Sequence, residues 1–174
     1  MTASTNERGS TLVVGLVLLS LVTLLGLAGA NAAHVERLLA QNETFRENAG
    51  SAASAGIEMA ISAIVTSPAP ESVAPSFNGQ LPGSTDSWEV ELRFAGYETT
   101  LPQAPGTTVA GAHFDIVSTG HSARNAIDRQ RAAVMWVVPA PATVLPVDCA
   151  PLVARHCYAA GELERLAWQR IAAK

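Results

Sequence analysis

The stretch that decides the reading runs from Glu7 to Leu39, ERGSTLVVGLVLLSLVTLLGLAGANAAHVERLL, with no Asp, Glu, Lys or Arg between Arg8 and Glu36. Leu12 to Ala33 is long enough to cross a bilayer, since a spanning helix needs about 20 apolar residues at about 1.5 Å each. A cleavable secretory signal has an apolar core of only about 7–15 residues. The run AGANAAH nevertheless offers small-x-small cleavage sites at Ala28/Ala30 and Ala30/Ala32. Three readings are open at this point: a discarded signal, a plain membrane anchor, and a retained segment that is both membrane span and assembly interface.

The flanks extend the pattern. The preceding MTASTNERG is short and polar, and no proline follows the apolar run until Pro68. Beyond the bilayer length the sequence turns amphipathic: Leu38, Phe45, Ala49, Ala53, Ile57, Ile61 and Ile64 recur at helical spacings, while Glu36, Arg37, Glu43, Arg46 and Glu47 fall mostly elsewhere. Thr11 to Val65 as one helix spans about 80 Å, longer than a domain of this size can cover, so half of it must extend beyond any globular part. Gly15, Gly26, Gly29, Gly50 and Gly56 each cost about 1 kcal/mol relative to alanine in a helix. Local bending there is expected. The charge-rich run Glu36 to Glu47 is either a subunit interface or a solvated face.

Composition narrows the function classes. A chain of 174 residues allows one modest globular domain beside the N-terminal segment. The formal charge of −4, with no long Lys/Arg run, argues against a nucleic-acid partner, because neutralising phosphates needs a concentrated basic face. Cys149 and Cys157 lie close together in DCAPLVARHC, and a translocated chain meets oxidising chemistry, so a local disulfide is expected; free thiols in a cytosolic protein are the other reading. With His156 they fall short of the four ligands of a structural zinc site, and no metal or cofactor is expected. The acidic loops lack the alternating oxygen-ligand spacing of a calcium loop.

The N-terminal half resembles a known family. ERG followed by STLVVGLVLLSLVTLLGLAGANAAHVERLLAQNETFRENAGSAASAGIEMAISAI is similar to the N-terminus of a type IV prepilin, and most closely to PilX-type minor pilins. The resemblance covers the leader and helix, about a third of the chain. It implies that residues 1–9 are a leader, that a dedicated peptidase cuts between Gly9 and Ser10, and that the new N-terminus at Ser10 is methylated. It also implies that the helix, 10–66 with 11–33 transmembrane, is retained, first as an inner-membrane anchor and later in a filament core. Two positions depart from the family pattern. Val14 stands at the fifth mature position, where major pilins carry a glutamate that pairs with a neighbour's N-terminal amine, and Ser10 replaces the usual phenylalanine. A carboxylate in hydrocarbon is costly unless paired, so its absence removes both a cost and a docking contact. A subunit at the growing end has no older neighbour above it, which would suit initiation or tip placement.

Residues 67–174 read as a β-rich head. TSPAPESVAPSFNGQLPGSTD, rich in Pro, Ser and Gly, reads as an irregular connection. SWEVELRFAG alternates cleanly, with Trp88, Val90, Leu92 and Phe94 on one side and Glu89, Glu91 and Arg93 on the other, as a half-buried strand does. AHFDIVSTG supplies a second strand with Phe114, Ile116 and Ser118 on one face, begun by His113. AIDRQRAAVMWVV supplies a third, with Val134, Trp136 and Val138 in register. GHSAR between the last two reads as the turn of an antiparallel hairpin. PAPATVLPVDCAPLVARHC is a proline-rich loop, and GELERLAWQRIAAK reads as a short closing helix packed through Leu163, Leu166, Trp168 and Ile171. The fold class is therefore α+β and pilin-like: a long N-terminal helix, its first half transmembrane, on a small antiparallel sheet.

A hydrolase needs a nucleophile, a base and an orienting acid converging on a pocket. Ser118, His121 and Ser122 in STGHSARN are close in sequence inside an expected turn, which is not convergence. Asp115 and Asp128 are candidates to face one another across the hairpin, His34 reads as an interfacial residue, and Asn42 in NET fits a glycosylation sequon by accident. No phosphate loop or dinucleotide fingerprint is present. The expectation is a structural protein, not an enzyme: a minor pilin that primes assembly or forms the tip complex of a type IV pilus, serving adhesion and twitching motility. The partners implied are other minor pilins, the major pilin and a tip adhesin, and the location is the inner membrane with a periplasmic C-terminus, then the pilus. The competing expectations are a type II secretion pseudopilin and an exported, soluble periplasmic binding module cut at the ANAA site.

Overall fold

A computed structural model describes residues 7–103, 107–140, 147–149 and 156–171, with backbone alone at 7–11 and 147–148. In chain order its elements are helix α1 (Glu7–Thr66) and strands β1 (Ser76–Gln80), β2 (Ser87–Glu98), β3 (Pro102–Gln103), β4 (Val109–Ser122), β5 (Ala126–Pro139), β6 (Val147–Asp148) and β7 (Leu163–Ile171). The chain divides into two compact units, one ending at Glu43 and the other running from Thr44 to Lys174. The described part of the first unit is helix throughout, with nearly every side chain exposed.

In the second unit, the last turns of α1 lie on a five-stranded sheet of order β1-β2-β4-β5-β7, every neighbouring pair antiparallel. The alternation of β2 is realised, with Trp88, Val90 and Leu92 buried between exposed Glu89, Glu91 and Arg93. They join Phe114 and Ile116 of β4, Ala132, Val134 and Val138 of β5, and Ala52, Ile57, Ala60 and Ile64 of α1 in one core. Burying each of the three isoleucines completely contributes about 1.5–3 kcal/mol. β4 carries Val109, Gly111 and the residues between them buried on both faces, because Leu101, Val109, Met135, Val137 and Tyr158 form a second small core on the opposite side. The parallel pair β3 and β6 closes that end.

Helix and sheet approach closely because the seam is built from small residues. A methyl group on Gly120 would land on the carbonyl oxygen of Ala49 and the backbone nitrogen of Ala53, and one on Gly56 would land on the Ser118 hydroxyl. Gly56 thus does more than weaken the helix; it and Gly120 remove the atoms that would hold the two layers apart.

Several expectations need correction. The closing segment is not a helix but strand β7, which pairs antiparallel with β5 from Trp136↔Leu163 to Arg129↔Ile171. The open edge of β5 supplies ladder hydrogen bonds that outweigh the helix preference of Leu, Ala, Glu and Arg. Leu166 and Trp168 are consequently exposed, and the pairing skips Leu166 in a bulge. The proline-rich connection contains β1, where Phe77 meets Trp88 edge-on at 6.0 Å and Gly79 lies against the Trp88 ring. The hairpin turn is Ala123–Asn125, so His121 and Ser122 remain in β4. Arg124 and Asn125 take positive φ of 55° and 57°, and the Arg124 guanidinium lies over the Phe45 ring at 5.6 Å. His113 lies inside β4 rather than at its start, and Leu38 is exposed.

Candidate functional site

The feature best suited to a function is the apolar part of α1. Its most apolar 18-residue window has a mean hydropathy of 2.6, and none of it is buried. Ser20 and Thr23 return their hydroxyls to the carbonyls of Leu16 and Leu19, which satisfies those polar groups within the helix. Val14 is 55% exposed, so a face of the helix at the fifth position after Gly9 is open. Gly9 and Ser10 belong to the first turn of α1 by backbone; their side chains, and residues 1–6, lie outside the described residues.

The head holds its part of α1 through a polar network that sequence reasoning missed. Gln130, buried on β5, donates from Nε2 to the Gly50 carbonyl at 3.0 Å and to Asp128 Oδ2 at 3.0 Å. Its Oε1 accepts from Ser54 Oγ at 3.1 Å and Trp168 Nε1 at 2.8 Å. Asp128 in turn meets Arg170 at 3.0 Å, and Arg165 reaches Glu58 of α1 at 2.8 Å. One side chain therefore joins α1, β5 and β7. The only signal in the sequence was the period-two placement of Asp128 and Gln130 on the face that also carries Ala132 and Val134.

A second built region lies around the cysteines. Cys149 and Cys157 form a disulfide with Cα atoms 5.7 Å apart. The Cys149 amide donates to the Gln103 carbonyl, and the Tyr158 amide to the Pro102 carbonyl, both at 2.9 Å. His156 pairs with Glu162 at 2.8 Å, and the Tyr158 hydroxyl donates to Glu164 at 2.8 Å, which raises the tyrosine pKa. Most of the proline-rich loop between β5 and the cysteines lies outside the described residues.

The polar residues weighed for catalysis are not brought together. Ser118 is buried against α1 with its hydroxyl unpartnered among the described residues, whereas His121, three residues on, takes the opposite face of β4. Ser122 donates to Asp86 at 2.6 Å; with Ser84 it holds that carboxyl below its ordinary pKa. Asp115 and Asp128 do not face one another: Asp115 forms a two-pronged pair with Arg131, which lowers its pKa, and Asp128 lies opposite Gly120. His113 meets Glu98 at 3.0 Å, and His34 is exposed on α1. Among the described residues no group of three or more His, Cys, Asp or Glu is placed to hold a metal.

With the helix and its seat on the sheet described, the comparison with known families is specific: residues 8–58 match the family model described as PilX N-terminal. The N-terminal segment is thus similar to that of PilX-type proteins. The match begins at Arg8, beside the expected cleavage point, and ends at Glu58, which pairs with Arg165 of β7. It takes in the whole apolar segment and the small residues that α1 contributes to the seam, Ala49, Ala53 and Gly56. No curated protein and no solved structure matches the chain significantly.

Proposed function

We propose that this chain is a minor pilin, a structural subunit that primes assembly of a type IV pilus or stands in its tip complex. The observation that carries this reading is the PilX N-terminal match over residues 8–58, on a helix whose apolar part is fully exposed. Such a surface needs lipid or other helices around it, and a pilin meets both in turn. On this reading Gly9 ends the leader, Ser10 becomes the methylated N-terminus, and the chain sits in the inner membrane with its C-terminus in the periplasm until it is drawn into the filament. Its partners are other minor pilins and the major pilin, with a tip adhesin above them.

Val14 sharpens the proposal. An uncharged side chain at the fifth mature position needs no amine partner in hydrocarbon, so the subunit enters without docking on an older neighbour. Val14→Glu is the test, read by filament number and by labelling of the chain along sheared pili. The expected result is a changed frequency and position of incorporation. Unchanged filament number with unchanged tip labelling would contradict the tip assignment, and recovery of the chain in a secretion pseudopilus instead of the pilus would replace it.

A further inference from the structure

At the C-terminal end of α1 the chain turns through residues 67–72 and leaves a concavity of about 530 Å3 against the helix-facing side of the sheet. Its walls include Pro68, Pro70 and Pro139, the rings of Tyr97 and Trp136, and the carboxylate of Glu71. The wall is preformed. Ser67 N donates to the Ile64 carbonyl at 3.2 Å, Ser67 Oγ to the Ala69 carbonyl at 2.9 Å, and Ser72 N to the same carbonyl at 3.0 Å, while the prolines fix their own φ. Tyr97 stands edge-on to Phe94 at 5.1 Å, and Phe94 rests on Phe114 at 5.5 Å, so the ring is braced yet 41% exposed.

Three features of this wall describe what it can recognise. Three prolines lack the amide donors that adding a β-strand requires. What remains are flat ring faces and proline surfaces. Among the described residues the Trp136 indole N–H is buried with no acceptor, although buried indoles ordinarily find one. Glu71 accepts from the Tyr97 hydroxyl at 2.6 Å, and no cationic side chain pairs with it among the described residues.

We infer that this concavity docks an extended, proline-rich segment of a partner protein carrying a basic residue. A polyproline II segment has no internal hydrogen bonds, presents bare carbonyls as acceptors, and packs its rings on aromatic faces. The basic residue answers the carboxylate of Glu71, whose pKa is lowered first by the Tyr97 hydrogen bond. This assignment does not depend on the pilus reading.

The test uses the full chain in detergent micelles with its tryptophans labelled on the indole nitrogen. Three signals arise, from Trp88, Trp136 and Trp168, and Trp136→Phe identifies the one that matters. The probes are a capped oligoproline peptide with one central arginine and its glutamate counterpart. The expected result is a saturable shift of the Trp136 signal alone, with the arginine peptide binding about threefold to fivefold tighter, as an exposed ion pair gives. Glu71→Gln is expected to abolish that preference while the Trp88 and Trp168 signals stay in place. No saturable shift at millimolar peptide, equal shifts of all three signals, or a preference indifferent to Glu71→Gln would each overturn the proposal.

Discussion

At Gly120 a missing methyl group sets how closely α1 approaches the sheet. The atoms a side chain would meet there are the backbone of Ala49 and Ala53, which cannot rotate away. Gly120→Ala is therefore expected to destabilise the head by about 1–3 kcal/mol or to lift the helix, read as a lower thermal midpoint. Ile127→Ala, at an exposed position of β5 next along the hairpin, should do far less. Asp86 and Tyr97 each contribute to one limb of the pH dependence. The Asp86 carboxyl is held below its ordinary pKa by Ser122 and then Ser84, so its contribution is present above the unfolded value of about 4 and is lost as pH falls through the folded value. Tyr97 is pushed up to about 12, by burial first and then by Glu71, so its contribution is complete below about pH 10 and disappears as pH rises through about 12. Denaturation followed against pH should show both limbs; Asp86→Asn should flatten the acid limb and Tyr97→Phe the alkaline one. A limb unchanged by its substitution would contradict the corresponding assignment.

At the level of elements, Gln130 shows how α1 is fastened. It bonds Gly50, Ser54, Asp128 and Trp168 at once, and Gln130→Leu keeps its size while leaving the Trp168 indole N–H without its acceptor; the Gly50 carbonyl keeps the Ser54 hydroxyl. A buried group left unpaired costs about 1–3 kcal/mol, so the variant is expected to lose about 2 kcal/mol and to exchange amide hydrogens faster around Gly50 than around Ile64. What could be read beforehand follows the same physics. α1, β2, β4 and β5 were legible because periodic burial is written directly into residue order: Trp88, Val90 and Leu92 point one way and Ile57 and Ile64 recur at helical spacing. β7 was not legible, because Leu163, Leu166 and Ile171 also fit a helix and only the open edge of β5 decides between the two. β1 hid in a proline-rich stretch for a similar reason: its five residues form a strand because Trp88 covers Gly79 and Phe77. The glycines of α1 looked like costs in isolation, and the value of Gly56 at the seam depends on Ser118, far away in sequence.

For the whole molecule, the sequence shows an anchor-length apolar helix continuing into an amphipathic one, and the PilX N-terminal match over 8–58 covers that junction. The disulfide between Cys149 and Cys157 closes the far end of the head beside β3. A secreted binding module would discard the apolar segment, while a pilin subunit keeps it for two successive environments. The proposal therefore turns on where the mature chain begins. The direct measurement is the intact mass and N-terminal sequence of the protein recovered from its native envelope. The account predicts a chain starting at N-methylated Ser10 with the apolar helix retained; a chain starting near Ala33 or His34 would contradict it.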